Sequence, residues 1–398
     1  MGESILVINS GSSSLKFQLI SVQDEKSIAS GLIDRIGEKV STFTLKYDGQ
    51  KTTTSHEVPN HTTAFAIVLE GLTGGSKPIV SGINEIKALG HRVVHGGDLY
   101  AGAVIIEDDV IKAIDELSSL APLHNPANLI SIKCGMDVFP NAIHVAVFDT
   151  AFHQTIPEVA HRYALPETYY KDHKIRVYGF HGTSHKYVVG QLKNVLSGKL
   201  PGKVITLHLG NGCSMSAIKD GICVDTSLGF TPADGLIMGT RAGDLDPGLV
   251  LYLVDKLGLS TKEVNDTINK KSGMLGLTGM ADLRDIIAEA DKGGEMAKLS
   301  LEMNAYRIRK YIGAYAAAMN GLDALVFTAG IGENSPKMRS LICNDLSFFG
   351  VELDEGKNNA VIGMADTIHS SKSKVQIWVV PTQEEVEIAR EAKKFLYI

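Results

Sequence analysis

Residues 5–20 read ILVINSGSSSLKFQLI: an apolar run rich in β-branched residues, a small polar segment, and a second run in which apolar residues alternate. The pattern predicts a strand over Ile5–Ile8, a tight turn over Asn9–Ser14 and a strand over Leu15–Ile20. Residues 204–224, VITLHLGNGCSMSAIKDGICV, repeat the order of strand, glycine turn and strand, and add a third strand after Asp220-Gly221. A domain duplicated within one chain leaves this kind of pattern.

Helical periodicity follows each of these strand groups. Thr62–Leu72 and Leu301–Met319 carry apolar residues at helical spacing, and each region leads into a further apolar run, Ala142–Phe148 or Ala324–Thr328. Strands that alternate with helices are typical of α/β proteins. We therefore expect two similar α/β halves with a cleft between them and a boundary near Asp149.

The C-terminal segment reads as one more helix. It is expected to span Glu384–Leu396, with Thr382 and Glu385 forming a capping box at its start. Because that box uses Glu385, it leaves Glu384 for a metal ion.

Composition narrows the class of partner. Lys and Arg number 39 against 45 Asp and Glu, a formal net charge of −6, and long basic blocks are absent, which counts against nucleic-acid binding. The apolar runs are far shorter than the roughly 20 residues that a membrane span needs, and the N-terminus lacks the pattern of a secretory leader. We expect a cytoplasmic protein that acts on small molecules, without membrane contact. The four cysteines form no C-x-x-C pair and are expected to be reduced, buried thiols.

Familiar phosphate-binding motifs are missing. The Walker A pattern does not occur, and neither Gly210-Asn-Gly212 nor Gly330-Ile-Gly332 has the third glycine of the dinucleotide fingerprint. The segment Asn9–Lys16 is either a plain hairpin turn or a loop whose hydroxyls and N–H groups surround phosphate oxygens, with Lys16 as a point charge. Ala329–Asn334 is predicted to be a glycine loop between a strand and a helix start, a suitable cradle for a nucleotide.

Two arginines lie in glycine-rich contexts. Arg92 stands within GHRVVHGG, where its planar fork either binds an anion or forms an ion pair. Arg241 stands within GTRAGDLDPG and is a second anion clamp, or pairs with Asp244 or Asp246. Asp246 is also expected to cap the helix that follows.

One histidine pair and one carboxylate remain ambiguous from the residues alone. His181 and His185 have i, i+4 spacing, which suits zinc on a helix, or else a single histidine donates a hydrogen bond while Thr183 and Ser184 cap the helix. Asp149 ends a strand at the expected domain boundary, where it either holds a metal ion through water, as Mg²⁺ prefers, or caps a helix.

In combination these motifs are far more specific than any one of them. Over its whole length the chain resembles the acetate and propionate kinase family of the actin, sugar-kinase and heat-shock-chaperone superfamily. The segments that carry the resemblance are NSGSSSLK (9–16), HRVVHGG (91–97), FHGTSH (180–185), HLGNG (208–212), GTR (239–241) and AGIGEN (329–334).

The resemblance implies a duplicated actin-like (ribonuclease H-like) α/β fold with an interdomain cleft. Its domains would be 1–149 plus 384–398, and 150–383, the second binding the nucleotide and forming a homodimer. The implied reaction is reversible, in-line phosphoryl transfer from ATP to acetate, giving acetyl phosphate and ADP, with Mg²⁺ or Mn²⁺. A propionate kinase is the nearest rival, and an actin-like ATP-binding regulator is the rival from another class.

The resemblance also assigns roles by position. Catalysis would fall to Asp149, His181 and Arg241, and metal binding to Asn9 and Glu384. Arg92 would hold the substrate carboxylate, in an acyl pocket walled by Val94, Leu123, Phe180 and Pro232. The nucleotide contacts would be Lys16, His208, Leu209, Gly210, Asn211, Gly212, Asp282, Leu283, Arg284, Gly330, Ile331, Gly332, Glu333 and Asn334.

Physical chemistry constrains one of these roles. A carboxylic acid with a pKa of about 4 to 5 is almost fully ionised at neutral pH, so the acceptor needs no general base. Phosphoryl-transfer enzymes supply positioning and charge neutralisation instead. We therefore expect Asp149 to order the water ligands of the metal ion rather than to remove a proton.

Overall fold

A computed structural model describes residues 2–122 and 124–397, so that Leu123 lies outside the described residues. The chain divides into two compact units, one comprising Met1–Phe152 with Gln383–Ile398 and the other His153–Thr382. None of the helices in the described ranges is long and apolar enough to cross a membrane.

The first unit is built on one mixed sheet with helices. Its elements are β1 (Ser4–Ser10), β2 (Ser14–Ser21), β3 (Ser27–Asp34), β4 (Ser41–Tyr47), β5 (Gln50–His56), α1 (His61–Thr73), β6 (Ile86–Val93), β7 (Val104–Ile105), α2 (Asp108–Glu116), α3 (Asn125–Val138) and β8 (Ile143–Phe148), joined by the C-terminal helix of the chain.

The strand order of this sheet is β5-β4-β3-β2-β1-β6-β8-β7. The expected hairpin forms its centre, with β1 and β2 antiparallel and Ser10 opposite Leu15. β6 is parallel to β1, and β8 is parallel to β6. The inward side chains of β1 and β2, such as Leu6, Ile8 and Phe17, pack with α1 in a buried core because alternate residues of a strand point to one face.

The second unit contains the remaining elements. They are α4 (Glu158–His161), α5 (Glu167–His173), α6 (Gly182–Val195), β9 (Lys203–Leu209), β10 (Cys213–Lys219), β11 (Ile222–Thr226), α7 (Pro247–Asp255), α8 (Thr261–Lys270), α9 (Gly273–Thr278), α10 (Leu283–Asp291), α11 (Glu295–Met319), β12 (Ala324–Thr328), α12 (Ala329–Asn334), α13 (Pro336–Cys343), α14 (Glu355–Ala360), β13 (Asp366–Thr367) and β14 (Gln376–Val379), and α15 (Glu384–Lys393) then returns to the first unit.

The second sheet repeats the central topology of the first. Its order is β11-β10-β9-β12-β14-β13. β9, β10 and β11 form an antiparallel meander, and β12 and β14 continue from β9 in parallel. In the first unit β1, β2 and β3 form the meander, and β6 and β8 are the parallel strands. The shared order of third, second, first, fourth and fifth strand confirms the expected α/β duplication, and the duplicated actin-like fold with it.

The predicted C-terminal helix is right in place but wrong in its capping. It ends at Lys393 rather than Leu396, and its N-cap is Gln383, which forms no side-chain capping bond. Thr382 does not cap it, because its hydroxyl bonds to the Ser184 hydroxyl at 2.8 Å within the second unit. The capping box fails because its hydroxyl is already used elsewhere.

The predicted glycine loop at 329–334 is also wrong in detail. The segment is the short helix α12, which begins directly after β12 with Ala329 in the left-handed region at φ 62°. α13 follows after Ser335, whose side chain caps it by accepting from the N–H of Met338. The glycines therefore open a helix N-terminus at the end of β12 rather than a free loop.

Candidate functional site

The carboxyl ends of three neighbouring parallel strands gather polar side chains in the first unit. Asn9 lies near the end of β1, Arg92 near the end of β6, and Asp149 directly after β8. Adjacent parallel strands end at the same sheet edge, where α/β proteins place their ligands. Glu384 is the first residue of α15, which packs closely on β6: a Cβ on Gly90 would lie 2.6 Å from a methyl carbon of Ile388. The fold thus brings four predicted site residues to one edge.

Arg92 and Asp149 form a fork-like ion pair. The Nε atom of Arg92 donates to both carboxylate oxygens at 3.1 Å, and Nη2 donates to Oδ2 at 2.6 Å. Burial alone would lower the pKa of Arg92, but the charges of Asp149 and Glu384 outweigh it and hold that pKa above its ordinary value. Of the two alternatives predicted for Arg92, anion binding and an ion pair, the structure contains the ion pair. The third nitrogen, Nη1, makes no hydrogen bond to the described residues and remains available to an anion.

Burial and neighbouring carboxylates disfavour the charged form of Glu384. Its pKa is raised, chiefly by burial and then by the charges of Asp149 and Glu385, against the opposing effect of Arg92 and Lys16. A nearby cation relieves this kind of repulsion between buried carboxylates. Lys16 supplies part of this compensating positive charge, because its ammonium group pairs with Glu385.

The same residues are suited to Mg²⁺. The carboxylates of Asp149 and Glu384 interact electrostatically, and the half-buried side chain of Asn9 makes no hydrogen bond to the described residues. No group of three or more His, Cys, Asp or Glu residues able to hold a metal occurs in 2–122 or 124–397. Mg²⁺ keeps several water ligands and uses one or two carboxylates besides substrate phosphates, so this sparse oxygen set fits it.

In the second unit, His181 lies at the turn into α6. It is the N-cap in left-handed conformation at φ 56°, and α6 begins at Gly182. The expectation that Thr183 and Ser184 cap this helix is wrong, because both lie inside it. The Ser184 hydroxyl instead contacts Nδ1 of His208 at 2.8 Å, and the rings of His181 and His208 stack with centroids 4.4 Å apart.

Arg241 and His181 converge on Gly212. A Cβ at residue 212 would lie 2.7 Å from Nη2 of Arg241 and 3.5 Å from Nε2 of His181. Any side chain there would displace one of them, so the glycine between β9 and β10 keeps this space open. A second nitrogen of the arginine, Nη1, donates to the carbonyl of Pro232 at 2.6 Å, which fixes the guanidinium plane.

The alternative pairing of Arg241 with local acids is wrong. Asp244 accepts from the Tyr311 hydroxyl at 2.9 Å and lies 3.4 Å from Arg307. Asp246 caps α7, as expected, by accepting from the N–H of Gly248. Because both acids are otherwise engaged, the charge of Arg241 is left for a ligand.

A cavity of about 920 Å³ adjoins this point. Its volume lies within the range of small-molecule sites. Predicted nucleotide contacts make up much of its lining, and sequence reasoning missed an apolar group contributed by α9, α10, α13 and the 237–239 segment. The predicted lining residues are Leu209, Gly210, Asn211, Asp282, Leu283, Arg284, Gly330, Ile331 and Asn334, and the apolar group includes Ile237, Met238, Met274, Ile287 and Met338.

Other predicted nucleotide residues lie outside this lining. His208, Gly212, Gly332 and Glu333 belong to the same unit but do not line the cavity, and Lys16 belongs to the first unit. The carbonyls of Gly332 and Glu333 instead accept hydrogen bonds from Nη1 of Arg339, at 2.9 and 3.0 Å. Arg339 is fully buried, supports α12 through these bonds, and was missed by sequence reasoning. Burial lowers the pKa of Arg339 to about 10, so it stays charged at neutral pH. A lone arginine in a helix gives no sequence signal for this role.

The predicted acyl-pocket residues are divided between the units. Val94 directly follows β6 in the first unit, whereas Phe180 and Pro232 lie in the second, and Leu123 falls outside the described residues. Phe180 is buried, and the Pro232 carbonyl is the acceptor for Arg241. The pocket itself stays a prediction.

Zinc binding by His181 and His185 does not fit the geometry. Nδ1 of His185 contacts the Thr206 hydroxyl at 2.7 Å, and Nε2 contacts the Ser214 hydroxyl at 2.8 Å. Neither ring nitrogen of His185 is left for a metal. The four cysteines are free and buried, as expected.

Comparison with known proteins gives a consistent result. Residues 4–390 match the model of the acetokinase family. The chain is 51% identical over 396 residues to the acetate kinase of Thermotoga maritima, with 98% of each chain covered. Among solved structures it is similar to the acetate kinase of Porphyromonas gingivalis, with a TM-score of 0.95 at 42% identity over 99% of this chain and 100% of that one. A propionate kinase from Francisella tularensis gives a TM-score of 0.92 at 41% identity, covering 98% of each chain.

Proposed function

Because the chain belongs to the acetokinase family, we propose that it transfers the γ-phosphoryl group of ATP to the carboxylate of acetate, forming acetyl phosphate and ADP. The observation that carries this proposal is the convergence of Arg241 and His181 on Gly212, between residues that line the cavity. A cation and an imidazole at this place can act on the terminal phosphate of a nucleotide bound there.

The nucleotide half of the reaction belongs to the second unit. The apolar side chains of the cavity suit an adenine ring, and the N-terminus of α12 at Gly330 offers N–H groups to phosphate oxygens. Arg241 neutralises charge that spreads over the transferred phosphoryl group, and His181 donates a hydrogen bond to it. Fixed by the Pro232 carbonyl, the guanidinium needs little reorganisation during transfer.

The acceptor half belongs to the first unit. Nη1 of Arg92 binds the acetate carboxylate while Asp149 holds the opposite edge of the guanidinium. Asn9 and Glu384 would hold Mg²⁺, and Asp149 would order its water ligands. When bound, the ion supplies positive charge to the phosphate oxygens.

No proton has to be removed from acetate, since it is already an anion near neutral pH. The barrier is the approach of one anion to another, which two arginines and a histidine lower by neutralising charge and fixing the in-line geometry. Asp149 is engaged by the Arg92 fork, which suits positioning rather than proton abstraction.

The direct test measures ADP release by the purified protein with ATP and Mg²⁺, in parallel with acetate, propionate, butyrate or no acid. Hydroxylamine traps any acyl phosphate as a hydroxamate. We expect acetate to give the highest rate, with hydroxamate and ADP formed in equal amounts. Turnover that is independent of the acid, or no turnover, would favour an actin-like ATP-binding regulator instead.

Propionate kinase is the second candidate function, because one structural neighbour carries that name. The two activities differ only in pocket volume, and one methylene is typically worth roughly 1–3 kcal/mol, about ten- to two-hundredfold in rate. Preference for propionate in the assay above would keep the mechanism and change the substrate.

Val94→Ala is expected to raise the rate with propionate relative to acetate, because it removes two methyl groups from a wall of the proposed acyl pocket. The measurement is the ratio of kcat/KM for the two acids. Val138→Ala serves as the control, since Val138 is also half-buried in the first unit but lies at the end of α3. An unaltered ratio in Val94→Ala would remove this residue from the pocket.

We also propose that the protein is a homodimer formed through the second unit. None of the residues of α7 is buried, although the helix is strongly apolar, with Leu251 and Tyr252 exposed by 63% and 53%. A second apolar stripe at helical spacing lies on α11: Met296, Leu299, Met303 and Tyr306. Exposed apolar patches of this kind mark interaction surfaces.

Leu251→Asp is expected to convert the protein to monomers, because it places a charge within the proposed apolar interface. Light scattering after size-exclusion chromatography should change from twice the 42.7 kDa chain mass to that mass. Val159→Asp is the control, because Val159 is an apolar residue of the same unit that is 92% exposed and lies on α4 rather than on α7. It should leave the mass unchanged. A monomeric unaltered protein, or a dimeric Leu251→Asp variant, would exclude α7 as the interface.

A further inference from the structure

A buried chain of hydrogen bonds leads to His181 from inside the second unit. Nδ1 of His181 lies 2.9 Å from the Ser214 hydroxyl, which lies 2.8 Å from Nε2 of His185. Nδ1 of His185 lies in turn 2.7 Å from the Thr206 hydroxyl. Ser214, His185 and Thr206 are all fully buried, so solvent does not compete for these bonds.

The far end of the chain fixes the direction of every bond in it. The Thr206 hydroxyl has one proton, and among the described residues its one partner is Nδ1 of His185. A buried donor left without an acceptor is costly, so Thr206 donates and Nδ1 of His185 accepts. His185 therefore carries its proton on Nε2 and donates to Ser214.

Ser214 transmits this choice to His181. Its oxygen accepts from Nε2 of His185, and its own proton has one acceptor left among the described residues, Nδ1 of His181. Since Nδ1 accepts, the proton of His181 lies on Nε2, the nitrogen that approaches Gly212 beside Arg241. The tautomer of His181 is thus determined by the hydroxyl of Thr206, the third residue along the hydrogen-bond network from His181.

We propose that Thr206, His185 and Ser214 are positioning residues that hold His181 as a neutral imidazole with its proton on Nε2. The inference rests on the proposed function, in which Nε2 of His181 donates to the transferred phosphoryl group. A neutral donor in a fixed tautomer is always ready to donate, whereas a free imidazole divides its population between two tautomers.

The surroundings of His181 favour the neutral form. A second proton on Nδ1 would oppose the Ser214 donor and leave the Ser214 proton without an acceptor. Within the second unit, the guanidinium of Arg241 approaches the same point at Gly212 as the ring and repels a further positive charge, and the ring of His208 stacks on that of His181 with centroids 4.4 Å apart. Burial, with the neighbouring His153 and His208, also holds the pKa of His185 well below its ordinary value, so His185 stays neutral.

The test reads the tautomer directly by ¹⁵N NMR of the histidine rings in the full-length protein at pH 7, with the His181 signals assigned by their loss in His181→Gln. We expect an unprotonated Nδ1 and a protonated Nε2 for His181. An Nδ1–H tautomer or an imidazolium would overturn the proposal. Because this measurement needs no turnover, it separates failure of the inference from failure of the proposed function.

Two variants test the network itself. Ser214→Ala should give mixed tautomers of His181 and lower kcat about 10- to 100-fold, by analogy with the loss of the hydrogen-bond partner of a metal-bound histidine, with little change in the KM for ATP. Thr206→Val, which keeps the side-chain shape, should also disturb the tautomer. Ser216→Ala is the matched control, since Ser216 is buried on the same strand but contacts the Thr226 hydroxyl. An unchanged His181 spectrum in Ser214→Ala would overturn the proposal, and a change of equal size in Ser216→Ala would show a general effect of strand packing.

Discussion

Arg241→Ala is expected to reduce kcat by about 10³-fold or more, the range found when an arginine that stabilises phosphoryl transfer is lost. The arginine nitrogen Nη2 approaches the open space at Gly212 together with Nε2 of His181, and the nearby acids Asp244 and Asp246 have other partners. The KM for ATP should change much less, because the cavity lining remains.

Arg241→Lys separates charge from geometry. Lysine keeps the positive charge, but its single ammonium group cannot both bond to the Pro232 carbonyl, as Nη1 does at 2.6 Å, and present a second nitrogen at Gly212. We therefore expect lysine to restore only a small part of the lost rate. Full recovery would show that charge alone is required.

Arg309→Ala is the matched control. Nη1 of Arg309 also donates to one backbone carbonyl, that of Leu341, at 2.7 Å, and Arg309 does not line the cavity. Its replacement should leave kcat nearly unchanged, which steady-state kinetics on both variants can check. Equal losses in the two variants would attribute the effect of Arg241 to folding rather than to catalysis.

The strand hairpins were predictable because they depend on local patterns, whereas the pairing of remote strands was not. Alternating apolar residues in 15–20 and the polar turn before them specify a hairpin without reference to distant contacts, and the same pattern in 204–224 revealed the duplication. The partner of β1 outside the hairpin, β6, is 76 residues beyond Ser10 in sequence, and no local pattern specifies such a pairing.

Capping was less predictable because a side chain has several competing partners. Thr382 and Glu385 have the spacing of a capping box, but Thr382 bonds to Ser184 and Glu385 to Lys16. Both partners are remote in sequence. Thr183 and Ser184 fail as caps because α6 begins at Gly182, before either of them, and the Ser184 hydroxyl contacts His208 instead.

The charged site residues could be predicted because their motifs are unusual. The residues that support the site could not be predicted. Arg92 and Arg241 stand out in glycine-rich segments, but whether each pairs with an acid of the protein could not be predicted from sequence. Arg92 pairs with Asp149, whereas Arg241 forms no ion pair with an acid among the described residues and donates to the Pro232 carbonyl. Arg339 gave no signal, although it is fully buried and holds α12. The apolar lining of the cavity also gave no sequence signal, because methionine and isoleucine at helical spacing indicate only a hydrophobic core.

Asp149→Asn is the second substitution for which we expect a very large loss of activity. Asp149 accepts three contacts from the guanidinium of Arg92 and is 1% exposed. Asparagine keeps the shape but replaces one acceptor by an NH₂ donor and removes the charge. Breaking one side of a buried charge pair costs about 2–5 kcal/mol, which corresponds to roughly tens to thousands of fold if it falls on the transition state.

The kinetics of Asp149→Asn separate the two proposed roles of Asp149. Asp137→Asn is the control variant, because Asp137 is exposed on α3. If Asp149 chiefly orders the water ligands of Mg²⁺, the variant should need much more Mg²⁺ and recover rate when Mg²⁺ is in excess. If it chiefly holds Arg92, the KM for acetate should rise while the Mg²⁺ dependence of the residual rate is unchanged. We expect the first pattern to dominate, because the pKa of Glu384 is raised chiefly by burial and also by the negative charge of Asp149, and loss of that charge weakens the attraction for a divalent cation. A residual rate with unchanged Mg²⁺ dependence would assign Asp149 to Arg92 alone.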